Sequence, residues 1–129
     1  MALLKDLVVD AAHPASVARF WAQALDGYRV APYDEAELAR LAANGISGPE
    51  DDPTVLVEPV MPGGGPRLFF QLVPEPKEGK NRMHLDISAG DPAAEISRLT
   101  GLGATILAVH EHWTTLADPE GNEFCITRP

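Results

Sequence analysis

Leu7-Val8-Val9-Asp10-Ala11-Ala12-His13-Pro14-Ala15 and Leu85-Asp86-Ile87-Ser88-Ala89-Gly90-Asp91-Pro92-Ala93 lie 78 positions apart and share one order of signals. Each runs from an alternating apolar stretch through small residues to X-Pro-Ala and then into a helical pattern. In the first copy Pro14 suits the first helical position, where its missing N–H is no loss. Val17, Phe20, Trp21, Ala24 and Leu25 follow on one apolar helix face, which makes Trp21 a core residue. Gly27 offers the left-handed stop. In the second copy Asp91 is a good N-cap before Pro92, and Ile96, Leu99 and Leu102 supply the apolar face up to Gly101 or Gly103. Both copies read as strand–helix units.

Extended segments follow each unit. After the first come residues 28–31, 54–60 and 67–73, the last two joined by Pro62-Gly63-Gly64-Gly65-Pro66. After the second come residues 104–110, 113–117 and 123–127, with Asp118-Pro119-Glu120-Gly121-Asn122 as a tight turn. The expectation is therefore an α+β chain of two β-α-β-β-β modules. Module one covers about residues 1–75 and module two about 81–129, with a polar linker at about 76–80. Asp34-Glu35-Ala36-Glu37 resembles a capping box before a short helix ending at Asn44-Gly45. The acidic loop Gly48-Pro49-Glu50-Asp51-Asp52-Pro53 then reads as a solvated connector, with a lid over a pocket as the alternative.

Composition narrows the partners. The 129 residues carry 10 basic and 19 acidic side chains, a net charge of −9. Such a chain repels phosphate backbones and anionic lipid surfaces, so no nucleic acid and no membrane partner is expected. Cys125 is the single cysteine. An internal disulfide is impossible, and with no signal peptide or long apolar run in sight the expected location is cytoplasmic.

The paired modules, Phe20-Trp21 in the first helix and the Asp118–Asn122 turn before a last strand resemble the vicinal oxygen chelate superfamily. Phe70-Gln71-Leu72-Val73-Pro74-Glu75-Pro76-Lys77, Lys80-Asn81-Arg82-Met83-His84-Leu85-Asp86 and Gly121-Asn122-Glu123-Phe124-Cys125 resemble its glyoxalase-like branch, of glyoxalase/bleomycin-resistance/dioxygenase type. The resemblance implies modules that pair into a curved mixed sheet, a cup with the helices outside. It implies metal ligands from the first and last strands of each module, all facing the cup. Those positions fall on Asp6, Gln71, His84 and Cys125. Strand alternation agrees, since Leu7 and Val9, Met83, Leu85 and Ile87, and Phe124 and Ile126 fall on the opposite, helix-facing side.

Carboxylate, imidazole and thiolate can each hold a divalent ion such as Zn²⁺, Fe²⁺, Mn²⁺, Ni²⁺ or Co²⁺. Asp6 and Cys125, however, stand where the family usually has His and Glu, and the Gln71 amide is a poor ligand. These departures favour a protein that binds a small organic molecule in a cup between its modules without the usual metal set. The alternative is a metal-dependent lyase, isomerase or dioxygenase acting on vicinal oxygens, with Glu123 or Asp86 moving the proton. Trp113 is expected to line the pocket, with Tyr33, His110 and His112 near it. A homodimer is implied by the resemblance.

Overall fold

A computed structural model describes residues 1–129. The chain folds as two compact units, Met1–Pro76 and Lys77–Pro129. Each unit holds one four-stranded mixed sheet, and together they carry three α-helices. The class is α+β, with two β-α-β-β-β modules. The hydrogen-bonded pairing stays within each module: two four-stranded sheets form rather than one continuous sheet.

Unit one runs β1 (Asp6–Ala11), α1 (Pro14–Ala24), β2 (Tyr28–Val30), α2 (Glu35–Ala43), β3 (Thr54–Pro59) and β4 (Arg67–Leu72). Its sheet order is β1-β4-β3-β2, with β1 parallel to β4 and the other pairs antiparallel. Parallel neighbours need a long crossover. Pro14 starts α1 at its first turn and Val17, Ala18, Phe20, Trp21 and Ala24 are all buried on it. The Phe20 and Trp21 rings meet edge to face at 5.3 Å. Facing residues Val55, Val57, Leu68 and Phe70 complete the core of this unit.

The stretch between β2 and β3 is tied down. Asp34 caps α2 by accepting from the Glu37 N–H at 2.8 Å, and Leu41 alone is buried on that helix. A single 3₁₀ turn follows at Pro49–Asp51. Arg19 on α1 donates to both carboxylate oxygens of Glu50, at 2.8 and 3.0 Å. Asp52 is buried and accepts from the Tyr33 hydroxyl at 2.7 Å and the Thr54 N–H at 3.0 Å. Burial, and then the Asp52 carboxylate, push the Tyr33 phenol well above its ordinary range. Tyr33 is thus a structural donor to a carboxylate in unit one.

Unit two runs β5 (Leu85–Ser88), α3 (Pro92–Leu102), β6 (Thr105–Val109), β7 (Trp113–Ala117) and β8 (Glu123–Thr127). The order β5-β8-β7-β6, with β5 parallel to β8, repeats that of unit one. Asp91 caps α3 through the Ala94 N–H, and Gly103 ends it in the left-handed region at φ +119°. Leu99, Leu116, Phe124 and Ile126 form the core here.

Two expectations for this unit need correcting. Met83 is exposed and lies outside β5, because the ladder with β8 begins only at Leu85 opposite Phe124. Ile96 and Leu102 are half-buried, so Leu99 alone anchors α3 fully. The turn between β7 and β8 is built on Asp118, which is buried and accepts from the N–H groups of Glu120 and Asn122 and from the Asn122 amide.

Candidate functional site

Side chains alternate across a strand, so each sheet offers one face to its helix and leaves one open. On the open face of unit two, register sets Asp86 of β5, Cys125 of β8 and Thr115 of β7 abreast. The next rung carries Ser88, Thr127 and Trp113. His84 precedes β5 by one residue and lies on the Asp86 side, its Nε2 3.3 Å from the Asp86 carboxylate. Cys125 Sγ is 3.5 Å from the Thr115 hydroxyl. One ligand atom from each of His84, Asp86 and Cys125 lies within 4.8 Å of the others.

These residues floor an open depression of about 490 Å³, whose lining also includes Trp113, His112 and Glu123. Trp113 is 43% exposed. The His110 ring stacks on it at 4.4 Å with 23° between the planes. The opposite rim is polar and internally paired. Glu123 accepts from the Asn81 N–H at 3.0 Å and from Lys77 at 3.2 Å. Burial by itself would raise the Glu123 carboxyl, but the hydrogen bonds from Asn81 and the Lys77 ammonium outweigh it and hold the group below its ordinary value.

The same rungs in unit one carry different chemistry. Pro14 and Pro92 both open their helices, so the 78-residue offset aligns β1 with β5. Val8 then matches Asp86. Its partner Phe69 matches Cys125, and Leu56, opposite Phe69, matches Thr115. Where unit two places a carboxylate, a thiol and a hydroxyl, unit one places three apolar side chains. Of these, Val8 is 57% exposed, whereas Phe69 and Leu56 are half-buried.

This register corrects the expected counterpart of Cys125. Gln71 lies opposite Asp10 and Thr54 and corresponds to Thr127, two residues further along the strand. Phe69 holds the position matching Cys125. The two-residue difference keeps Gln71 on the same face, so alternation alone could not reveal it. Asp6 alternates onto the same face as Val8, and its carboxylate accepts from Arg67 Nε at 2.8 Å and Nη2 at 3.1 Å.

Unit two thus gathers His84, Asp86, Trp113, Glu123 and Cys125 around one depression. Asp6 and Gln71 belong to the other compact unit. Thr115 and Thr127 were missed in the sequence, although each alternates with residues already singled out: Thr115 with Trp113 on β7, and Thr127 with Cys125 on β8. No helix is long and apolar enough to cross a membrane.

Among solved structures, the chain is similar to a glyoxalase/bleomycin resistance protein/dioxygenase family enzyme from Burkholderia phytofirmans PsJN. That match has 16% identity and a TM-score of 0.65, and covers 98% of each chain. It is similar to the fosfomycin resistance protein FosX of Mesorhizobium loti at 10% identity and TM-score 0.64, over 100% of this chain and 93% of that one. The trypanothione-dependent glyoxalase I of Leishmania major aligns at 15% identity and TM-score 0.61, over 99% of this chain and 87% of that one. At such identities the likeness is one of fold. Comparison with curated protein sequences gives no match. The family model described as a glyoxalase-like domain matches residues 6–127, nearly the whole chain, and the chain belongs to that family.

Proposed function

We propose that the protein binds a small organic molecule in the depression on the open face of module two, with Trp113 as its stacking wall. The observation that carries this reading is the convergence of an exposed, His110-backed Trp113 with His84, Asp86 and Cys125 around about 490 Å³ of open space. That volume falls in the range of about 300–1,000 Å³ that ligand pockets occupy, with apolar walls for contact and a few polar groups for orientation. The Trp113 ring offers a flat face of negative potential that suits planar or cationic groups. Thr115 and Thr127 supply hydroxyls that donate or accept.

The four-position metal set implied by the family resemblance does not fit these residues. Asp6 is already neutralised by Arg67, and Gln71 is out of register with Cys125. No step is therefore routed through such a centre. In a lyase or isomerase reading, the two candidate proton carriers are unequal. Glu123 is held as a carboxylate by Lys77 and Asn81, whereas Asp86 is open to solvent and lies 3.3 Å from the His84 ring. Asp86 with His84 is the pair better placed to move a proton. A homodimer, as in the resemblance, is part of this proposal.

Thermal-shift screening of planar aromatic and conjugated compounds, in buffer containing a chelator, tests the binding reading. Hits should raise the melting temperature and lose that effect in Trp113→Ala. Hits whose effect survives that substitution would place the ligand elsewhere and sink the proposal.

A further inference from the structure

We infer that module two carries a second small-molecule site, between the start of α3 and strands β6–β8, built for an aliphatic monocarboxylate. It goes beyond the reading above, because it lies on the helix-facing side of the sheet and does not depend on a ligand stacked on Trp113. A second open depression, of about 710 Å³, occupies this place, with Ile96, Ile106, Ile126, Thr114 and Arg128 in its lining. Its volume is again that of a ligand pocket. Trp113 lines both depressions and stands between them.

The space has a cause in the sequence. With the 78-residue offset, Val17, Phe20 and Trp21 of α1 correspond to Glu95, Arg98 and Leu99 of α3. In unit one all three are buried, and α1 packs over β2, β3 and β4. In unit two Glu95 and Arg98 pair with one another instead, Leu99 alone is buried on the helix, and α3 packs chiefly over β8. Ile106 and Val109 lie opposite Leu116 and Thr114, so alternation turns them to the helix side. No helix covers them there, and they stay 47% and 75% exposed.

Thr114 separates a ligand site from a mere packing gap. It is 7% exposed and stands opposite Ile126, yet its hydroxyl has no hydrogen-bond partner in the chain and opens onto the depression. A hydroxyl held in apolar surroundings without a partner is unfavourable, and a bound acceptor relieves it. Arg128 follows two residues after Ile126 in the same lining, exposed and with no carboxylate paired to it. The two acids of the lining are engaged or turned outward. Asp91 accepts from the Ala94 N–H at the head of α3, and the Glu111 side chain is 88% exposed. A guanidinium and a hydroxyl thus remain for a carboxylate head, and three isoleucines for an aliphatic body. The net charge of −9 acts from a distance and is screened beyond about 8 Å at physiological salt, so contact with Arg128 decides.

The test is calorimetric titration of the full chain with octanoate, beside 1-octanol, which lacks the charge, and acetate, which lacks the tail. Octanoate should bind saturably at one per chain, 1-octanol about tenfold more weakly or worse, and acetate not measurably. Arg128→Gln should weaken octanoate by about tenfold while leaving 1-octanol unchanged. Thr114→Val keeps the shape of the side chain and should weaken octanoate by about three- to tenfold. The same variant should melt no lower than the native chain without ligand, because the lost hydroxyl has no partner there. Arg82→Gln, at a cation outside the lining, should bind like the native chain. No saturable octanoate binding by the native chain overturns the site, as does 1-octanol binding as tightly as octanoate. An Arg128→Gln or Thr114→Val variant that binds octanoate like the native chain also overturns it. An equal loss in Arg82→Gln reduces the effect to general charge attraction and overturns it too.

Discussion

Arg67 grips both carboxylate oxygens of Asp6, Nε to Oδ1 at 2.8 Å and Nη2 to Oδ2 at 3.1 Å, across the parallel pair β1–β4. The guanidinium also lies 5.3 Å from the centre of the Phe69 ring. Asp6 thus has a structural partner on its own sheet, and the first strand of module one presents a closed ion pair rather than a free ligand. Removing the charge in Asp6→Asn should lower the urea midpoint slightly. Because the pair is partly solvated, that loss should shrink at about 1 M salt. A salt-independent loss would mean that packing, and not the ion pair, holds Asp6 in place.

Glu123 gives the chain a pH signature. Its folded pKa lies below the ordinary carboxylate value of 4.5 owing to Asn81 and Lys77, despite the opposing effect of burial. A depressed folded pKa stabilises the native state at pH values above the unfolded pKa, and the contribution fades as pH falls through the folded one. Glu123→Gln should therefore be less stable than the native chain near neutrality, and the two should converge in acid. Urea midpoints of both proteins between about pH 3 and 7 check this. A difference that stays constant across that window would assign the loss to the amide's shape and not to charge.

Asp118 organises the loop that sets β8 against β7. Its buried carboxylate accepts from two backbone N–H groups and one side-chain amide, and the turn closes through Asp118 N–H to Asn122 C=O and Gly121 N–H to Asp118 C=O. Gly121, at φ +86°, occupies the left-handed position that this turn requires. Asp118→Ala strands those donors, each costing about 1–3 kcal/mol if left unmet by water. Asp118→Asn keeps an acceptor and should lose less. Denaturation curves of the two variants should rank in that order, and the reverse ranking would show that charge, not acceptance, is what the turn needs.

Much of this architecture was legible because each signal is local. Pro14 and Pro92, the Asp91 and Asp34 caps and the Asp118–Asn122 turn act within a few residues of themselves, so the sequence carries their outcome directly. Register is another matter. Whether Phe69 or Gln71 stands where Cys125 stands depends on how β4 slides against β1, a long-range choice that keeps every side chain on the same face for a two-residue step. Partnership was equally hidden. Nothing near Asp6 announces Arg67, 61 residues away, and nothing near Glu123 announces Lys77, 46 residues away. The same distance effect hid the contrast between the two open faces, because Val8, Phe69 and Leu56 meet only when three strands assemble.

Trp113 offers the most direct check on ligand binding, because the chain has just two tryptophans in opposite settings. Trp21 is buried on the inner face of α1, whereas Trp113 is exposed beside His110 at the rim of the depression. In a Trp21→Phe background the fluorescence would come from Trp113 alone, and a stacking ligand should quench it in a saturable way. An aromatic stacking contact adds about 0.5–1.5 kcal/mol beyond its buried area, so Trp113→Ala should weaken binding by about three- to tenfold or more. The same substitution should change folding stability little, since the ring already faces water. His110→Ala, which removes the support behind the ring, should weaken the ligand less than Trp113→Ala while leaving the quenching intact. Quenching that saturates equally well with His84, Asp86 and Cys125 all unchanged in accessibility to metal or thiol reagents would mean that the ligand sits on the outer edge of Trp113, away from the depression.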